Sequence, residues 1–288
     1  MKRLWLLALV GAILLNATPV LADDGFYVIP VRATPGTRID RLPYTITAPG
    51  YYYLTRNLTS SGSDGITVNV ANVTIDLMGF NLRGPANNSY AGIIILGQNV
   101  EVRNGTVSGW ANGISSGSGG SRAIGVRAVE NTYGIILSND ALIKGCTASP
   151  GSTITGYGLG VISGSITGCT VMDFFPTDST LGQILFSGGG ASGNLVLNCN
   201  STGIKSASGS ATVKDNVVIN CKNGIDMGGG GSLVANSVFA NSGQTAFIFN
   251  STGANPVVGD QNSCYLESDA IHYTGIRTGV WALNAYSH

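Results

Sequence analysis

Apolar residues along this chain fall into a short recurring pattern, with no stretch of helical periodicity. Glycine followed by an apolar residue recurs at Gly65-Ile66, Gly92-Ile93, Gly113-Ile114, Gly134-Ile135, Gly158-Leu159, Gly203-Ile204 and Gly224-Ile225, with weaker members at Gly182-Gln183 and Ala246-Phe247. Successive spacings are 27, 21, 21, 24, 24, 21, 21 and 22 residues. A period of this length belongs to a solenoid whose repeats stack one coil on the next, here about nine coils.

Upstream of each glycine a second block recurs, as in Asn194-Leu-Val-Leu-Asn-Cys199, Asn216-Val-Val-Ile-Asn-Cys221, Asn236-Ser-Val-Phe-Ala-Asn241 and Cys169-Thr-Val-Met-Asp-Phe174. Its third position reads Ala128, Ala148, Val171, Val196, Val218 and Val238, small or β-branched residues that suit the inside of a strand. Its first position reads Cys146, Cys169, Asn194, Asn216 and Asn236. Asparagine side chains bond readily to nearby backbone, and stacked coil upon coil they form an internal ladder. Glycine is expected at the bend, once per coil.

These blocks, with the lead-in Thr45-Ile-Thr-Ala-Pro-Gly-Tyr-Tyr-Tyr-Leu54 and the run Asn72-Val-Thr-Ile-Asp-Leu-Met-Gly-Phe-Asn-Leu82, resemble the repeats of secreted right-handed parallel β-helix proteins of the pectate-lyase-like superfamily. The resemblance covers roughly residues 44 to 262. It implies an all-β fold, a single-stranded right-handed parallel β-helix of about nine coils. It leaves the activity open, because that superfamily holds lyases, hydrolases, epimerases, tail-spike adhesins and non-catalytic surface proteins. The expected organisation is a signal peptide over 1–22, an N-terminal cap over 23–60, the β-helix over 61–264 and a C-terminal cap over 265–288. Caps are expected because an open solenoid exposes a strand edge at each end.

Composition narrows the function. The 288 residues include 42 glycines and 15 basic against 15 acidic side chains, for a net charge of zero. Such a chain lacks the basic face of a nucleic-acid binder and the charge of a disordered segment. The start has the form of an export signal: Met1-Lys2-Arg3, an apolar stretch from Leu4 to Leu15 too short to span a bilayer, and the small-residue site Val20-Leu21-Ala22. No apolar run beyond it is long enough for a membrane span. The expected destination is extracellular or periplasmic, in a bacterium.

An oxidising destination raises the question of disulfides among Cys146, Cys169, Cys199, Cys221 and Cys264. Cys146 stacks over Cys169 and Cys199 over Cys221, one coil apart. The coil spacing lies within disulfide range, but side chains in a parallel stack point the same way, so buried reduced thiols are expected. With only His272 and His288 to join scattered cysteines, no zinc site is expected.

Candidate chemistry lies in columns on the outside of the coils. Tyr90, Trp110, Tyr133 and Tyr157 fall one to three residues before the repeat glycine on four consecutive coils, a stacking platform for sugar rings or, alternatively, filler for the coil corners. Glu130 and Asp173 share a position two coils apart, about 9.6 Å by strand spacing. Carboxyls about 6.5–9.5 Å apart suit inverting glycoside hydrolysis. Pro150 stands between them and Asn198, Asn220 and Ala240 come after, which also suits plain surface acids. Arg103, Lys144 and Lys214 form a basic register, and Lys205 lies one coil from Asp226. The resemblance implies that a lyase would need a cation for its uronate, for which Arg103, Arg127 and Lys144 near Glu130 are the candidates, and calcium held by carboxylates. No three acids on adjacent coils offer calcium a site. Finally, if Val196, Val218 and Val238 point inward, Leu195, Leu197, Val217, Ile219 and Phe239 point outward. That column is either covered by the segment from Tyr265 or is a face for self-association.

The combined reading is a secreted β-helix that binds or processes a polysaccharide, with binding ahead of turnover. The alternatives are a polysaccharide lyase or inverting glycoside hydrolase, and a non-catalytic assembly protein of the cell surface. Mass spectrometry of the exported protein is expected to find its N-terminus at or near Asp23; a retained Met1 overturns the export assignment.

Overall fold

The computed structural model describes residues 36–86, 89–151, 156–176, 181–228, 230–240, 244–249, 257–266, 271–275 and 281–287. The expected signal peptide and the first part of the expected N-terminal cap lie outside them. The described residues form one parallel β-solenoid of about nine turns with no helix. Each coil lays down three strands, so the stack has three faces. On the first face Ala91–Ile95, Asn112–Ser116 and Tyr133–Leu137 succeed one another in parallel register. The second and third faces are often reached by one continuous strand. Val100–Ser108, for example, pairs with Val73–Asp76 before its bend and with Asn81–Arg83 after it.

Alternation on each face sends every second side chain into the interior. Ile93, Ile114, Ile135, Leu159, Ile184, Ile204 and Ile225 stack in line on the first face, all buried. Ala128, Ala148, Val171, Val196, Val218 and Val238 do the same on the third, as the repeat predicts. Each buried Ile or Leu contributes about 1.5–3 kcal/mol, and a rung's neighbours above and below are what bury it.

The repeat glycines turn out not to mark the bends. Gly92 and Gly113 lie inside strands, and a Cβ on Gly92 would sit 2.6 Å from the carbonyl oxygen of Gly113, with Gly113 in the same relation to Gly134 at 2.5 Å. They are glycine because neighbouring coils approach too closely there for any side chain. The bends are made by left-handed residues elsewhere, among them Asn72, Asn99, Asn104, Asn198 and Asn220. Asparagine tolerates that conformation better than most residues.

The interior asparagine ladder is present. Asn194, Asn216, Asn236 and Asn262 are buried in one column. The Oδ1 of Asn216 accepts from both the backbone N–H and the Nδ2 of Asn194 at 2.9 Å. The Nδ2 of Asn216 donates to Ala191 O at 3.0 Å and to Asn236 Oδ1 at 2.9 Å. Asn236 repeats the pattern on Asn262. Toward the N-terminus, sulfur takes over the oxygen's place. Cys169 N–H still donates to Asn194 Oδ1 at 2.9 Å, but Cys146 N–H reaches Cys169 Sγ at 3.4 Å and Val126 N–H reaches Cys146 Sγ at 3.5 Å. Hydrogen bonding to Cys169 and burial both push the Cys146 thiol upward, and burial pushes Cys264 up to about 11.

One expectation needs correction. Cys146, Cys169 and Cys264 are free and buried, but Cys199 and Cys221 are joined by a disulfide between adjacent coils, their Cα atoms 4.4 Å apart. Cys199 and Cys221 stand directly opposite each other in the parallel register, which shifts only beyond them, and the coil spacing itself brings them within bonding distance. Parallel strand pairing runs on toward both ends of the described residues. Thr37–Ile39, Tyr44–Ile46 and Gly50–Leu54 pair in parallel at one end, and Ile271–Gly275 and Trp281–Ser287 at the other.

Replacing Asn216 by Ala leaves the N–H and Nδ2 of Asn194 without their acceptor and Ala191 O without its donor. At about 1–3 kcal/mol for each buried polar group stranded, the loss is on the order of 3 kcal/mol or more. Urea denaturation is expected to show it, while Asn223→Ala, at a partly exposed position, costs under about 1 kcal/mol.

Candidate functional site

The edge where the third face turns into the first gathers most of the candidate residues. The bend is made by one left-handed residue per coil: Gly109, Glu130, Asp173, Asn198 and Asn220, with φ of 76°, 58°, 62°, 52° and 55°. The bend residue points to solvent and the one after it points inward, which places Asn131, Phe174, Cys199 and Cys221 in the core. Trp110 comes directly after Gly109 and takes that inward position.

Trp110 is therefore no part of a surface platform. It is 1% exposed, its Nε1 donates to Leu82 O at 3.0 Å, and its backbone N–H donates to the side chain of Asn131 at 3.0 Å. Counting back from the repeat glycine misplaces it, because Asn112, and not Trp110, stands in register with Tyr133. Tyr90 is half-buried and packs against the core. Tyr133 and Tyr157 remain partly exposed and meet edge to face, ring centroids 5.1 Å apart. Burial pushes the Tyr157 phenol upward.

Glu130 and Asp173 are both exposed on this edge, two rungs apart. Beyond Asp173 the edge carries a chain of amides. Asn198 Nδ2 donates to Asp173 Oδ1 at 3.1 Å, Asn220 Nδ2 to Asn198 Oδ1 at 3.0 Å, and Gln244 Nε2 to Asn220 Oδ1 at 3.0 Å. Beside this outer ladder opens a shallow cleft of about 320 Å³ lined by Phe175, Cys199, Asn200, Asn220, Lys222 and Gln244. Phe175 is 46% exposed, next to Asp173's buried neighbour Phe174. Sequence reasoning placed Asn198 and Asn220 in the column of Asp173 without giving them a role, and passed over Gln244 and Lys222. The available signal was that Asn198 and Asn220 share the bend position with Asp173, so their amides were bound to stack on its carboxylate.

The other candidates do not converge here. Arg127 stands on the outside of the third face, its Nε donating to Thr106 Oγ1 at 3.0 Å. Lys144 lies at the far end of the second face, before the bend at Gly145. Thus Glu130, Asp173, Arg127 and Lys144 form no single constellation. Among the described residues no three of His, Cys, Asp and Glu come together to hold a metal. Leu195, Leu197, Val217 and Ile219 face outward and are half-buried, and Phe239 is 36% exposed. Tyr265 does not fold over that column; it continues it one rung further, stacked on Phe239 at 4.4 Å with the rings 6° from parallel.

The basic register exists, and its first member is neutralised. Arg103 Nε donates to Asp76 at 2.9 Å, on the next rung. Asp76 is buried and also accepts from Met78 N–H at 2.9 Å and Asn104 Nδ2 at 3.3 Å. Burial alone pushes its carboxyl upward, but the hydrogen bonds from Met78, Arg103 and Asn104 outweigh it and hold the group below the usual range. Lys205 pairs with Asp226 at 3.6 Å in a partly buried contact.

No family profile matches the chain and no curated protein matches it in sequence. Among solved structures, a chain described as ORF18 of Geobacillus virus E2 superposes with a TM-score of 0.47 at 15% identity, over 82% of this chain and 52% of that one. This chain spans about half the length of that protein. No helix among the described residues is long and apolar enough to cross a membrane.

Because the Asp76 carboxyl is depressed in the folded state, its stabilisation is present above the unfolded value near 4 and lost as pH falls through the lower folded value. Asp76→Asn is therefore expected to lower stability by about 2 kcal/mol at pH 7. In urea titrations the gap to the parent protein closes toward pH 2; a gap that is constant with pH refutes the assignment.

Proposed function

We propose that this chain is a secreted β-solenoid that binds a polysaccharide along the edge between its third and first faces. The observation that carries the reading is the exposed Phe175 ring beside the Asp173–Asn198–Asn220–Gln244 ladder, in an open cleft. Sugars offer apolar ring faces and a fringe of hydroxyls. An exposed aromatic ring next to fixed carboxamides complements both. The edge runs parallel to the solenoid axis, so a polymer lying along it meets the Tyr133–Tyr157 pair on one side of the cleft. The resemblance of the repeats to pectate-lyase-like proteins, and the export signal, support an extracellular or periplasmic glycan as the ligand.

Binding is favoured over turnover by the surroundings of the acids. General acid–base catalysis needs groups aimed at one reacting centre. Asp173 is engaged by Asn198, and Arg127 and Lys144 lie on other surfaces.

The test is retention on a panel of neutral and acidic polysaccharides, with reducing ends and unsaturated uronates recorded in parallel. Phe175→Ala is expected to weaken retention three- to tenfold, matching about 0.5–1.5 kcal/mol for an aromatic contact, with no new ends in either protein. Retention unchanged by Phe175→Ala, or new ends released by the parent protein, overturns the reading.

A further inference from the structure

The outer surface of the second face carries a feature that the edge cleft does not use. Lys144, Thr167, Ser192 and Lys214 stand in register on four successive rungs. All four point outward, since Ile143, Ile166, Ala191 and Val213 beside them are buried. The two hydroxyls between the lysines are aligned, Ser192 Oγ donating to Thr167 Oγ1 at 3.0 Å. In the adjoining outward row, Gly190 stands between Ser165 and Thr212, so a side chain is missing in the middle. The gap is an open trough of about 300 Å³ lined by Ser165, Gly189, Gly190, Ser192, Thr212 and Lys214.

Charge is what distinguishes this strip from an ordinary polar surface. Arg103 begins the same register and is neutralised by Asp76. Among the described residues, Lys144 and Lys214 have no carboxylate within ion-pairing distance, although the whole chain balances 15 bases with 15 acids. Two lysines without a carboxylate partner thus hold backbone positions about 14 Å apart, three strand spacings of about 4.8 Å, and Lys214 lines the trough between the hydroxyl-bearing side chains.

We infer that this strip is a second ligand site, for the carboxylate or sulfate groups of an acidic glycan lying along the solenoid axis. The lysines meet two anionic groups, and Thr167, Ser192 and Thr212 supply hydroxyl partners to the sugars between them. A nucleic acid, with a charge every few ångströms, calls for a far more basic face than two lysines. The inference is independent of the edge cleft, and the cleft variant Phe175→Ala is expected to leave it intact.

Binding to dextran sulfate and to neutral dextran of equal length, at low salt, tests it. The parent protein is expected to bind the sulfated chain and not to bind the neutral one through this face. The double variant Lys144→Gln/Lys214→Gln loses about tenfold per lysine, or about a hundredfold in all. Thr212→Glu sets a carboxylate in the trough and produces a comparable loss with both lysines kept. Arg83→Gln, an exposed cation on another face, changes affinity less than twofold. Thermal midpoints of all variants stay within about a degree or two, as for exposed substitutions. A double variant that binds like the parent, an equal loss in Arg83→Gln, duplex DNA bound as tightly as dextran sulfate, or a parent protein that ignores dextran sulfate each overturns the inference.

Discussion

Stacking at a spacing of one strand makes every residue the neighbour of its counterpart in the next coil, and this fixes the rest of the molecule. Where the coils come closest, the carbonyl of one glycine occupies the space a Cβ would need on another, so Gly92, Gly113 and Gly134 repeat. Where a polar group enters the core, its own counterpart must satisfy it. Asparagine can do this indefinitely, because its amide donates while its carbonyl accepts. That property accounts for the column Asn194, Asn216, Asn236 and Asn262. A thiol fills the same place at Cys146 and Cys169 as a weaker acceptor.

The sequence made the columns legible wherever coils have equal length. The interior valines of the third face and the Cys-to-Asn column were visible because each occupies a constant place in its block. Trp110 was misplaced because positions one to three before the glycine were taken as one column, although the third, directly after the bend, faces the core at Trp110 as it does at Asn131. The Cys199–Cys221 bond was illegible for another reason: parallel stacking suggests side chains that do not converge, yet this in-register pair is bonded, its Cα atoms 4.4 Å apart. The outer amide ladder was within reach of the sequence but lay in residues that carry no catalytic chemistry.

A solenoid also gives its faces and its edges different latitude in side-chain size. The faces are regular and change slowly from rung to rung, while the edges admit side chains of any size because the bend residue leans away from the stack. Exposed Phe175 and the half-exposed Tyr133–Tyr157 pair accordingly belong to an edge. The trough on the second face needed two adjoining glycines, Gly189 and Gly190, to break an otherwise continuous row.

The disulfide has a consequence for how such a rod comes apart. A stack bonded only to its nearest neighbours loses coils from its ends one at a time, each opening exposing the next. A covalent link between Cys199 and Cys221 joins two consecutive coils about two-thirds of the way along the chain. Fraying that starts at the C-terminal end meets a pair of coils that must leave together, at a much steeper step than any before it. The bond therefore acts as a ratchet stop, leaving the last coils free to breathe while the longer N-terminal part of the rod stays wound.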